Sequence, residues 1–163
     1  MHSIIIAIVI AILPLSYSQP EIFHNYENGL SKAKELDKPI FLVFTGKSCK
    51  YNNELEWLFE NDQQLKEVMQ NKYVNIVLYV DDPTPLKNEY EIKRDDKAIK
   101  IQTLGDHWAN LEITKFNSNL QPLIIIMGSD ERLISKPRTF SEVGKSLKYY
   151  LIESEIKYKL GIY

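Results

Sequence analysis

The chain has 163 residues, 44% of them hydrophobic and 26% charged, which suits one globular domain with a real core and excludes a disordered chain. Its formal net charge is -2, with Lys and Arg interspersed among Asp and Glu, so no basic stripe is present to neutralise a phosphate backbone and nucleic acid is not an expected partner. One cysteine cannot form an internal disulfide, so its thiol is free, capped or bonded to another molecule.

Residues 4–15 are almost wholly Ile, Ala, Val and Leu, too short a run to cross a bilayer comfortably. They are followed by Ser16-Tyr17-Ser18, whose small residues at 16 and 18 predict cleavage before Gln19. The amino-terminal part carries no Lys or Arg, only the terminus and His2, and an uncleaved anchor is the alternative. The expected organisation is a signal segment over 1–18, one domain over 19–163, no stable membrane span after cleavage, and a periplasmic or secreted location.

Within residues 21–38, Ile22, Tyr26, Leu30, Ala33 and Leu36 fall near one helical face, and Asp37-Lys38-Pro39 ends that predicted helix. His24 lies in it with no ligand-spaced Cys, His or carboxylate cluster, so it reads as a surface residue and no metal is expected. Residues 39–44 are apolar and rich in β-branched and aromatic side chains, the composition of a core strand, and Gly46 stops it. Leu55, Leu58 and Phe59 then recur at helical spacing, which predicts a helix starting near Cys49. A thiol at a helix start, beside Lys47 and Lys50, is in the setting that favours thiolate, so Cys49 is the candidate nucleophile. Gly46-Lys47-Ser48 is like the tail of a phosphate-binding loop, but the glycine that motif needs five residues earlier is Phe41, inside the strand.

Asn61-Asp62 predicts a cap for a second short helix with Leu65, Val68 and Met69 on its apolar face. Residues 73–80 form another apolar strand, so strand, helical crossover and strand make a βαβ unit with a parallel pair. It ends in Asp81-Asp82-Pro83, read as turn chemistry rather than as an acid–base or metal pair. Residues 83–102 are dense in charge without a clean period and are expected to run over the surface as a solvated excursion. Asp106 is expected to cap a helix with Trp108, Leu111, Ile113 and Phe116, in which His107 and Trp108 are surface and packing residues. Leu120-Gln121-Pro122 opens a strand over 123–127, with a turn at 128–131 and a returning strand over 132–135. Thr139-Phe140-Ser141-Glu142 is a capping box, and Val143, Leu147, Tyr150, Leu151 and Ser154 trace the buried face of a terminal helix.

Four stretches together, 38–56, 71–82, 105–108 and 115–122, resemble the thioredoxin-fold superfamily, and within it the periplasmic carboxy-terminal domain of the DsbD-type thiol:disulfide interchange proteins. The resemblance implies an α/β fold over 19–163, a thioredoxin-like central mixed sheet flanked by helices, with a nucleophilic cysteine faced by a cis-proline. Cys49 matches the first cysteine of that family's Cys-x-x-Cys motif and Pro122 the cis-proline, while Asn52 stands where the second cysteine belongs and Val43 where many members hold a buried acid. Gln121, Pro122 and Tyr51 are the residues expected to border a bound client. Asn52 cannot attack a mixed disulfide, though its amide has a donor for the Cys49 thiolate.

Two functions fit this pattern. One is an exported monothiol protein that forms mixed disulfides with cysteine-bearing client proteins or peptides, isomerase-like or thiol-capping, and is released by an external thiol reductant. The other is a redox-silent binding module that uses the cis-proline groove without chemistry, broadly similar to the single-cysteine anterior gradient proteins, with Cys49 an inert relic. Neither implies a cofactor.

Overall fold

The computed structural model describes residues 19–163; the expected signal segment lies outside them. A five-stranded mixed sheet forms the centre, with strand order β1-β3-β2-β6-β7. Strands β2 (Ile40–Thr45) and β3 (Val74–Tyr79) pair in parallel through the middle, and β1 (Ile22–Phe23) adds parallel to the outer side of β3. On the other side β6 (Leu123–Met127) runs antiparallel to β2, and β7 (Arg138–Thr139) antiparallel to β6. Helices cover both faces, so the central strands read as unbroken apolar runs and every residue of β2 and β6 is buried.

Because side chains alternate along a strand, β2 feeds two separate cores. Phe41 and Val43 face α2 (Asn52–Asn61), α3 (Gln63–Lys72) and α6 (Leu147–Leu160), packing with Leu55, Leu65, Met69 and Leu151. Ile40, Leu42 and Phe44 face the opposite way, joining Tyr26 and Ala33 of α1 (Tyr26–Leu36) and Trp108 of α4 (Leu104–Phe116). Fully burying a side chain such as Phe41 or Leu42 contributes roughly 1.5–3 kcal/mol, so the sheet is held mainly by these two layers.

The helix signals act much as the chain's chemistry dictates. Asn25 caps α1 through a 2.9 Å bond from the Asn28 N–H, and Asp62 caps α3 through a 3.0 Å bond from the Leu65 N–H. Thr139 and Glu142 form the expected capping box at α5 (Phe140–Val143), which a short 3₁₀ turn, Gly144–Ser146, joins to α6. Of the face expected for the terminal helix, Leu147, Leu151 and Ser154 are buried on α6, Tyr150 is half-buried there, and Val143 is buried on α5 instead.

Several expectations are corrected. Ile22 lies in β1 rather than in the first helix, and His24 precedes that helix, exposed, with its Nδ1 2.9 Å from the Val77 carbonyl oxygen. The cap of α4 is Thr103, and Asp106 is its reciprocal partner three residues on. The return after β6 is a single bridge from Met127 to Leu133, and true pairing waits until β7.

The largest correction concerns 83–102. Instead of an irregular excursion it forms a hairpin, β4 (Pro85–Arg94) against β5 (Lys97–Thr103), as a separate two-stranded sheet. Asp95 and Asp96 make its two-residue turn, with φ of 47° and 60°, the left-handed pair that a primed hairpin turn requires. Its faces are mostly exposed, so no apolar alternation betrays it. Its base is tight: the Gly105 N–H donates to the Asp82 carbonyl at 2.9 Å and the Leu104 N–H to Thr84 at 2.8 Å. A Cβ on Gly105 would stand 2.7 Å from the Asp82 nitrogen and 2.8 Å from the Val80 oxygen, so only glycine fits where α4 leaves β3.

Candidate functional site

Residues 46–51 link β2 to α2, and α2 begins at Asn52, three residues beyond Cys49. Cys49 therefore sits in the preceding turn, where its N–H is satisfied by the Gly46 carbonyl at 3.0 Å and its own carbonyl accepts from the Asn52 N–H at 2.9 Å. The apolar spacing of Leu55 and Leu58 marks the helix's buried face correctly but says nothing of these two turns. Lys50 Nζ lies 4.5 Å from the centre of the Tyr51 ring and Lys47 Nζ 5.5 Å from that of Tyr79, so both cations sit over aromatic faces.

Asp81, at the end of β3, holds this loop. Its carboxylate accepts from the Lys47 N–H at 2.9 Å, the Ser48 N–H at 3.3 Å and the Ser48 hydroxyl at 3.2 Å. Partial desolvation pushes the Asp81 carboxyl up, but the bonds from Lys47 and Ser48 outweigh it and hold the group below its ordinary value. Asp82 binds the Thr84 N–H at 2.9 Å as an Asx turn. The two aspartates thus do turn chemistry, and among the described residues no cluster of three His, Cys, Asp or Glu is arranged to hold a metal.

The half-buried Cys49 thiol donates to the Gln121 carbonyl oxygen, 3.5 Å away. The Gln121–Pro122 peptide bond is cis, and the buried Pro122 leads directly into β6. Cys49, Gln121 and Pro122, expected together, are brought together from segments 72 positions apart. The Gln121 side chain turns inward, its Nε2 donating to Glu112 Oε2 of α4 at 2.7 Å.

Tyr51 and Asn52 are committed elsewhere. Tyr51 is half-buried, its ring 6.1 Å from that of Phe140 in the core. Asn52 is buried, its Oδ1 accepting from Thr45 Oγ1 at 3.2 Å and its Nδ2 donating to Glu56 Oε1 at 2.7 Å. The expected donor for the thiolate, Asn52 Nδ2, is therefore turned to Glu56 instead of Cys49. Glu56 also bonds the Tyr79 hydroxyl, whose proton is held more tightly than usual, first by burial and then by that carboxylate. Val43 is fully buried between Val77 and Ile124, with no ionisable group at its position. A cavity of about 690 Å³ opens behind Asn52, lined among others by Thr45, Glu56, Val77, Tyr79 and His24.

Sequence reasoning missed Thr45, Glu56, the Asp81 latch and Glu112. A usable signal existed for Glu112, which falls one helical turn after Trp108 on the face of α4 that enters the core.

No family model matches the sequence, and no curated protein matches it. Solved structures do. One, described as a DsbH oxidoreductase, superposes with a TM-score of 0.50 at 15% identity over 89% of this chain and 93% of its own. Another, a thioredoxin-fold protein from Helicobacter pylori, gives a TM-score of 0.42 at 15% identity over 78% of this chain and 88% of its own. The parallel β2–α2–α3–β3 unit and the antiparallel β6 entered through the cis Pro122 build the sheet that superposes on the first of these over most of both chains: the chain has a thioredoxin fold.

Proposed function

We propose that this is an exported monothiol protein that forms mixed disulfides with cysteine-bearing client proteins or peptides. The observation that carries the reading is the Cys49 thiol standing 3.5 Å from the Gln121 carbonyl at the entrance of β6, with an asparagine where a resolving thiol would act. An extended client segment adds to the backbone edge at Gln121, and its disulfide is presented to Cys49. The Cys49 thiolate attacks one client sulfur; a new S–S bond forms as the client's breaks, and the departing client sulfur takes up the proton that Cys49 released. Disulfide count is unchanged and no oxidant is consumed. Because Asn52 has no sulfur, release waits for an external thiol to attack the mixed disulfide, which suits an isomerase-like or capping role better than a reductase.

Export in this reading rests on the apolar 4–15 run with Ser16 and Ser18 before Gln19, and the compartment is the periplasm or the exterior. Among the described residues no helix is long and apolar enough to cross a membrane.

One observation favours the redox-silent alternative: the Cys49 sulfur is half-buried and already engaged with the Gln121 carbonyl, the group a client backbone would need. Trapping separates the two. Wild-type protein incubated with a disulfide-linked peptide dimer should give a one-to-one adduct by intact mass, and Cys49→Ser should abolish it. A wild type that binds the peptide without any adduct would leave only the silent module.

A further inference from the structure

Among the described residues Glu112 is the one carboxylate with no solvent exposure. Its Oε2 accepts from Gln121 Nε2 at 2.7 Å, and its Oε1 has no hydrogen-bond partner. Among the described residues no cation is paired with it. Of the strands that α4 touches, β2 has no ionisable side chain, β3 has only Tyr79, which is bonded to Glu56, the Arg94 guanidinium of β4 is given to Asn110 Oδ1 at 2.7 Å, and the lysines of β5, Lys97 and Lys100, are exposed. On α4 itself, Asp106 is taken by its cap, His107 by the Tyr90 hydroxyl, and Lys115 by Glu131. A buried carboxyl so placed costs stability, and its one bond leads to the residue that faces Cys49.

We propose that Glu112 is a positioning residue: through its bond to the Gln121 side chain it fixes the Gln121 carbonyl opposite Cys49, and with it the backbone edge on which a client segment docks. With the Gln121 side chain anchored inward, only its backbone is presented at the groove. Without the anchor, this half-buried side chain turns to solvent and the carbonyl loses its fixed direction. Burial pushes the Glu112 carboxyl up to about 7, the Gln121 bond drawing it the other way, so the anchor passes from a neutral to a charged acceptor near neutrality.

This inference rests on the client-groove reading, and the test keeps the two apart. Wild type, Glu112→Gln and Glu112→Leu are compared by the NMR signals of Gln121 and by adduct formation with two probes, a disulfide-linked dimer of a short extended peptide and cystamine. In the wild type the Gln121 side-chain amide should exchange slowly and titrate with a midpoint near 7; Glu112→Gln should keep the slow exchange and lose the titration. Glu112→Leu should lose both and react about tenfold more slowly with the peptide dimer, the effect of one lost buried hydrogen bond, while cystamine is unaffected. A Gln121 amide that does not titrate in the wild type, or equal slowing with both probes, would overturn the assignment. If the wild type forms adducts with neither disulfide, the client reading falls, and the Gln121 signals still decide whether Glu112 fixes that residue.

Discussion

The Thr45 hydroxyl donates to the Asn52 side-chain oxygen across 3.2 Å, joining the last residue of β2 to the first residue of α2 beneath the Cys49 turn. With Glu56 receiving the other end of the amide, Asn52 serves as a buried tie between strand and helix. A cysteine there would restore the dithiol pattern but break that tie.

Asn52→Cys should accordingly gain reductase turnover and lose stability together. Reduction of insulin with a dithiol donor should rise well above the background level expected of the wild type. Unfolding in denaturant should show a loss of about 1–3 kcal/mol from the unsatisfied Thr45 and Glu56 groups. Wild-type turnover equal to that of the variant would contradict the role given to the missing second thiol.

Glu112 makes stability pH-dependent in an identifiable direction. Its ordinary value is 4.5 and its value in the folded chain about 7, so between them the folded protein retains a proton that the unfolded chain has released. Stability from this group is whole below the lower value and is lost as pH rises through the upper one, amounting to about 3 kcal/mol. Equilibrium unfolding at pH 5 and pH 8 should show that decline in the wild type, and Glu112→Gln should flatten it.

Asp81 acts in the opposite sense. Its carboxyl is held low by Lys47 and Ser48 against desolvation, so its contribution is present above the ordinary carboxylate value and disappears as acid protonates it. Asp81→Ala should leave the sheet intact, cost about 1 kcal/mol, and speed hydrogen exchange at the Lys47 and Ser48 amides at neutral pH. Unchanged exchange at both amides would mean that the turn holds itself.

Intact-mass analysis of protein recovered from its native host should find a chain beginning at or near Gln19. Retention of Met1 on a membrane-bound form would replace export and release by anchoring.

Legibility in the sequence followed burial. Strands β2, β3 and β6 are buried on both faces and show as apolar runs, and Thr139 with Glu142 states its cap outright. The β4–β5 hairpin, open to water on most of its surface, has no such pattern, and its one local signal is Asp95-Asp96, a weaker turn pair than one containing glycine. At the site, chain order brings Cys49 and Pro122 forward because each stands at the junction of a strand. The direction of the Asn52 amide depends on Thr45 and Glu56, and the value of Glu112 depends on Gln121, pairings that exist only once α2 and α4 are packed.

The hairpin over 85–103 is fastened to α4 along its strands and is free only at its turn. Chain enters at Thr84 and leaves at Leu104 across a 2.8 Å bond, beside the contact of Gly105 with Asp82, and above that base Thr103 caps α4, Tyr90 bonds His107 and Arg94 donates to Asn110. Evolution or an engineer can lengthen or recharge the Asp95-Asp96 tip with little consequence for the sheet or the Cys49 turn, whereas a change as small as a methyl group at Gly105 would reach both.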